Sequence, residues 1–216
     1  MLLSHGERRA RLGDARLMLI FTPHLAEDPL GALEAALPYV DIVQVRPKPS
    51  GAAVTPARAS LDWTRRVLDL VGERALVLVN DRIDVALALA PEVDGVHLGA
   101  DDTPPRVARE LLGPDVLLGL STHGARDIAR AEDELLSYLG FGPIFPTKTK
   151  GYERGLGAEA AWIAMSAAPL PLFPIGGIDP SSAAELAPVG RAAVSSAILS
   201  ADDPGEAARA VRQALG

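Results

Sequence analysis

Short aliphatic runs alternate with longer alanine-rich stretches eight times along this 216-residue chain. That alternation constrains the fold more than any other feature. The strand-like runs are Leu17–Phe21, Ile42–Val45, Leu76–Val79, Gly95–Leu98, Leu117–Leu120, Tyr138–Phe141, Leu172–Ile175 and Ala192–Ser195. The stretches with helical character are Pro29–Tyr39, Ala57–Val71, Ile83–Leu89, Pro105–Leu112, Ala125–Leu136, Ala158–Ala167, Ser181–Ala187 and Pro204–Leu215. Strand then helix, repeated with a unit of roughly 27 residues, is the pattern of βαβ units around a parallel sheet. The fold class expected is α/β, a (β/α)8 TIM barrel in a single domain. A doubly wound open sheet is the alternative, because alternation alone does not prove closure. Residues 1–15 are expected to form an N-terminal arm or cap, and residues 16–216 the barrel.

Composition narrows the function classes. Almost half of the residues are hydrophobic but few are aromatic, which suits an aliphatic α/β core. The formal net charge of −7, with no large basic block, argues against general nucleic-acid binding and leaves room for a local cationic pocket. There is no cysteine, so disulfides and thiolate metal sites are excluded. The N-terminus has no signal-peptide layout, and no apolar run is long enough to span a bilayer. A soluble, cytoplasmic protein with no nucleic-acid or membrane partner is expected; a homo-oligomer is left open.

In a barrel, functional groups belong just after the strands. In Ile42–Lys48, Gln44, Arg46 and Lys48 are two residues apart, so an extended backbone aims all three to one side, while Val43 and Val45 face the helices. Such an inward set is costly without an anionic partner. Asn80 and Asp81 follow the third run, and Asp101 and Asp102 follow the fourth; each pair reads equally as a helix cap. Neighbouring strands put these two acidic loops side by side, and two carboxylates with few other ligands suit Mg2+. His97 alternates with Val96 and Leu98 as a barrel-interior residue. His24 is a lone loop histidine with no assigned role.

The segment Tyr138 to Gly151, YLGFGPIFPTKTKG, runs from an apolar strand into a basic loop. Gly140 and Gly142 permit close approach to the backbone. Thr147 and Thr149 offer hydroxyls, and Lys148 and Lys150 offer cationic donors, a set suited to phosphate. Ser121, Thr122 and His123 follow the fifth run without a nucleophile-elbow pattern. Gly176-Gly177 and Ser195-Ser196 follow the last two runs, where barrels often bind phosphate.

Together these segments resemble the thiamine phosphate synthase family, over about Leu17 to Ala214. The carrying motifs are VQVRPK (43–48), VNDRIDVAL (79–87), DGVHLGADD (94–102), GLSTH (119–123), GFGPIFPTKTK (140–150), PIGGI (174–178) and SSAI (195–198). The resemblance implies a (β/α)8 barrel transferase that joins hydroxymethylpyrimidine pyrophosphate to thiazole phosphate with Mg2+, releasing pyrophosphate. By position, Gln44, Arg46, Lys48 and Asn80 would bind the pyrimidine pyrophosphate, and Ser121 would meet it. Asp81 and Asp102 would hold Mg2+. Thr147, Thr149, Gly177, Ser195 and Ser196 would bind the thiazole phosphate, while Lys150 would contact the leaving pyrophosphate. Arg46, Lys48, Ser121 and Lys150 would carry the catalytic load. The chain departs from the usual pattern in its first strand, LMLIFTPH, at Ala100 and at Pro47. A related thiazole tautomerase, with His123 moving protons, and a non-catalytic phosphate-ligand binder are the competing readings.

Overall fold

The computed structural model describes residues 3–48, 55–131, 135–147 and 154–216. Eight strands form one sheet: β1 (Leu17–Phe21), β2 (Ile42–Val45), β3 (Leu76–Asn80), β4 (Gly95–Leu98), β5 (Leu117–Thr122), β6 (Tyr138–Phe141), β7 (Leu172–Pro174) and β8 (Ala192–Val194). They lie in sequence order, with β8 beside β1, and every ladder is parallel. A parallel bridge between Ile175 and Ala193 joins β7 to β8 and closes the barrel. Closure decides between the barrel and the open sheet.

The helices are α1 (His5–Asp14), α2 (Pro29–Ala36), α3 (Ala57–Val71), α4 (Ile83–Ala88), α5 (Pro105–Leu112), α6 (Ala125–Ala129), α7 (Ala158–Ala167), α8 (Ser196–Leu199) and α9 (Pro204–Ala214). Strand alternation sorts the apolar side chains into two cores. Leu17, Leu19, Phe21, Val43, Val45, Val77, Val79, Val96 and Leu98 face outward and pack under the helices. Met18, Ile20, Ile42, Leu76, Leu78, Leu117, Tyr138, Phe173 and Ala193 fill the barrel interior. Gly119 is required here: a Cβ on it would overlap the Tyr138 ring, which crosses the barrel at that level.

The N-terminal mouth of the barrel is stoppered by α1, whose Leu12 joins the interior core. A capping box starts this helix, with Ser4 Oγ accepting from Glu7 N and Glu7 Oε2 accepting from Ser4 N. Arg8 on its buried face donates to Asp94 Oδ1 at 2.9 Å and to the Pro91 carbonyl at 2.8 Å.

Several boundaries differ from expectation for local reasons. Pro38 has no N–H for an α-helical bond, so the stretch expected as one helix to Tyr39 turns 3₁₀ over Leu37–Tyr39. The helix expected over Ala125–Leu136 ends at Ala129, where Arg130 and Ala131 bond three residues back; 132–134 lie outside the described residues. Ser181–Ala187 shortens to a 3₁₀ turn over Ala183–Leu186, after Asp179 takes up the N–H groups of Ser181 and Ser182. β3 and β5 run further than expected, to Asn80 and Thr122. β7 and β8 each end one residue early, and α8 follows β8 directly.

Candidate active site at the C-terminal rim

The C-terminal ends of the strands surround a cavity of about 630 Å3. Met18, Ile20 and Phe173 lie along its lining from the barrel interior. Its polar lining comes from different strands: Gln44 from β2 with Arg46 just after it, Asn80 from β3, His97 from β4, and Ser121 and Thr122 from β5. His123 after β5, and Thr147, Gly177, Asp179, Ser195 and Ser196 in the segments that follow β6, β7 and β8, add to it. Eight of the residues to which the resemblance gives a site role (Gln44, Arg46, Asn80, Ser121, Thr147, Gly177, Ser195 and Ser196) therefore meet around one space. Lys48, Asp81 and Asp102 gather beside it, linked through Arg46 and Asp81. Thr149 and Lys150, with Lys148, lie outside the described residues.

Alternation along β2 produces the first group. Gln44 is buried, and among the described residues its Nε2 makes no well-aligned hydrogen bond, although the Tyr138 phenol lies near it. Two residues on, Arg46 is half-buried; burial pushes its guanidinium below the usual range, and the Asp81 carboxylate beside it opposes that. Lys48 reaches the same carboxylate, with Nζ 3.8 Å from Asp81 Oδ2.

Asp81 stands at the tight turn between β3 and α4 with φ at +63°, in the left-handed region. Asp adopts this conformation more readily than bulkier residues because its short side chain bonds locally, and such turns gather at functional sites. The turn brings the Asp81 carboxyl up to Asp102. Burial, then the like charge of Asp102 and a hydrogen bond to it, push Asp81 up to about 6, while Lys48 and Arg46 pull it down. Asp102 is braced from behind, its Oδ2 accepting from Gly99 N at 2.7 Å. Two carboxylates forced together next to two cations form an oxygen donor set that a divalent cation would relieve. Among the described residues no group of three or more acidic, histidine or cysteine side chains converges. Mg2+ tolerates two carboxylates because it keeps waters and takes phosphate oxygens. The residues present fit that ion.

The far side of the cavity is built by close backbone packing. Gly177 has φ at +64°, and a Cβ there would meet the Pro146 carbonyl and Phe145. Ile144 N and Phe145 N donate to the carbonyls of Ile175 and Gly176, which clips the loop after β6 onto the loop after β7. The paired glycines thus serve first to let these loops touch. Ser195 Oγ donates to the Ile20 carbonyl at 2.8 Å and lies 3.2 Å from Thr22 Oγ1.

Two features escaped the sequence reading. Tyr138, taken there as a strand residue only, faces the cavity and contacts His97. His97 in turn contacts Ser121. The signal was available: Tyr138 and Gly140 share one face of β6, opposite Gly119 and Ser121 on β5. His123 ties Nδ1 to the Gly142 carbonyl at 2.7 Å.

Residues 17–198 match the family model described as thiamine monophosphate synthase. The thiamine-phosphate synthase of Anaeromyxobacter dehalogenans is 43% identical over 213 residues, which cover 96% of this chain and 89% of that protein. The chain belongs to the thiamine monophosphate synthase family. A solved thiamine phosphate pyrophosphorylase from Pyrococcus furiosus superposes with a TM-score of 0.80 at 30% identity, covering 96% of both chains. The thiamine-phosphate synthase of a Synechococcus strain is 42% identical over 96% of this chain but only 58% of its own length. The chain thus spans less than three-fifths of some of the family members it matches. A 3-hexulose-6-phosphate synthase from Salmonella typhimurium, 15% identical with a TM-score of 0.65, shares the fold alone. Among the described residues no helix is long and apolar enough to cross a membrane.

Proposed function

We propose that this chain condenses 4-amino-2-methyl-5-hydroxymethylpyrimidine pyrophosphate with hydroxyethylthiazole phosphate, giving thiamine phosphate and pyrophosphate. The observation that carries this reading is the convergence of an anion-seeking group and a hydroxyl-and-glycine group on one cavity. Gln44, Arg46, Asn80 and Ser121 stand on one side, and Thr147, Gly177, Ser195 and Ser196 on the other. Membership of the family and the printed names of its relatives support the same reaction.

On this reading Gln44 and Asn80 hold the pyrimidine. Arg46, Lys48 and Lys150 neutralise the pyrophosphate, and Ser121 hydrogen-bonds it. Thr147, Thr149, Gly177, Ser195 and Ser196 hold the thiazole phosphate. Asp81 and Asp102 would hold Mg2+, which when bound supplies positive charge to the leaving group. The substitution is dissociative. The bond from the pyrimidine methylene carbon to oxygen breaks first, and its electron pair leaves on pyrophosphate. The thiazole nitrogen then donates its lone pair to the cationic carbon. No proton must move, which agrees with a site built from charges and hydrogen-bond donors rather than around a general base. The substrates are small phosphorylated molecules, and a cytoplasmic location suits them.

The test is pyrophosphate release from purified protein given both substrates, with and without Mg2+. Release that needs both substrates and Mg2+, with thiamine phosphate formed, is the expected result. Folded protein that binds both substrates and releases nothing would be a non-catalytic binder. A competing isomerase reading draws on His123, whose Nδ1 is engaged by the Gly142 carbonyl and which lines the cavity. Thiazole tautomerisation lost in His123→Ala, without pyrophosphate release, would favour it.

A further inference from the structure

Behind Ser121 a chain of hydrogen bonds runs down into the barrel interior. Tyr138 Oη lies 2.8 Å from His97 Nδ1, and His97 Nε2 lies 2.9 Å from Ser121 Oγ. The phenol is fully buried, seated against Gly119, and the imidazole is 9% exposed. The direction in which protons point along this chain follows from the partners available at its buried end.

Two groups approach Tyr138 Oη among the described residues: His97 Nδ1, at 2.8 Å, and the Gln44 amide. The nearby Gln44 amide presents Nε2, a donor, so it offers the phenol proton no acceptor. A buried hydroxyl proton without an acceptor is costly. The phenol therefore donates to Nδ1, and burial pushes its pKa far up, so the proton stays on oxygen. A neutral imidazole that accepts at Nδ1 carries its own proton on Nε2. That N–H donates to Ser121 Oγ. The Ser121 hydroxyl proton is then turned away from His97 and, among the described residues, has no acceptor there; Ser121 lines the cavity.

We infer that Tyr138 and His97 are positioning residues that fix Ser121 as a hydrogen-bond donor toward an acceptor oxygen of the bound ligand. That this oxygen belongs to a phosphate group rests on the function proposed above; the polarity of the chain does not. With the opposite tautomer, Ser121 would spend its proton on His97 and present only lone pairs to the cavity, which suits a ligand donor such as an amino group.

Ring-15N histidine NMR of the whole protein, with His97 assigned by comparison with His97→Gln, reads the tautomer directly. The expected result is a proton on Nε2; a proton on Nδ1 overturns the inference. In Tyr138→Phe, which removes one oxygen, the Nδ1–H form should become populated, and an unchanged tautomer would remove Tyr138 from the device. In turnover with both substrates, Tyr138→Phe should lower kcat about tenfold with KM within about threefold, the scale of one misdirected hydrogen bond. Adding it to Ser121→Ala should cost nothing further, whereas losses that multiply would give Tyr138 a merely structural part. Protein inactive with both substrates but showing the Nε2–H tautomer would sink the proposed reaction and leave the polarity standing. Calorimetric titration with inorganic pyrophosphate, weaker for Ser121→Ala, would then read the donor, and equal affinity would overturn it.

Discussion

The two ends of the barrel use the same residue types to opposite ends. At the N-terminal end Asp94, Asp41, Arg109 and Arg191 are each saturated by partners among the described residues. Asp94 accepts from Arg8 and from Val77 N. Asp41 accepts from Arg16 N and Leu17 N and pairs with Arg212. Arg109 donates to the carbonyls of Leu135, Gly113 and Val116, and Arg191 to those of Leu12, Gly13 and Ala15. At the C-terminal end the same groups are left wanting. Asp81 meets Asp102, another carboxylate, Lys48 sits at 3.8 Å from it, and Gln44 Nε2 makes no well-aligned hydrogen bond among the described residues. Saturated polar groups hold a structure together, whereas convergent unsaturated ones wait for a ligand.

That contrast can be broken by mutation. The largest expected effect is at the rim. Asp81→Ala there, and Lys150→Ala outside the described residues, should each cut kcat more than ~100-fold, the scale of losing one preorganised electrostatic contact. Unfolding midpoints should stay close to the parent's, and near-normal turnover would remove the residue from the mechanism. At the opposite end the readouts should exchange. Arg8→Ala leaves Asp94 buried without its cation and should cost about 3 kcal/mol in urea unfolding, with kcat of the folded enzyme little changed. Between the ends, Gly119→Ala forces a methyl into the Tyr138 ring and should destabilise by about 1–3 kcal/mol. It should also lower turnover, because the ring it displaces supports His97. The smallest effect sharpens the rule itself. Ser60 Oγ, on the buried side of α3, also lacks a partner among the described residues, yet it does not line the cavity. Ser60→Ala should be neutral or stabilising by up to about 1 kcal/mol, with activity unchanged; a loss of activity would mean that convergence on the cavity is not what marks a functional group.

Much of this was legible in the residues. Eight aliphatic runs gave the strands because buried parallel strands leave an apolar signature that does not depend on partners. Period-two alternation put Gln44 and Arg46 on the inward face, which they occupy. What was not legible depends on three-dimensional closure. Asn80-Asp81 and Asp101-Asp102 read equally as helix caps, and only the turn at Asp81 brings its carboxyl to Asp102. Tyr138 looked like an ordinary strand aromatic, because its role comes from a partner forty-one positions away. Gly176 and Gly177 read as ligand-facing glycines and do line the cavity, but the sequence did not show that the neighbouring loop also leaves no room for a Cβ on either.

The joint between β7 and β8 has a mechanical consequence. Seven of the eight strand pairings are ladders, but this one is the lone bridge from Ile175 to Ala193. A hoop with one thin weld flexes at the weld. Gly177 and Ser195 stand on either side of it, so a phosphate gripped by both would work as a clasp. Filling the site would then stiffen the entire ring, and amide exchange around Ile175 and Ala193 would slow before it slowed anywhere else.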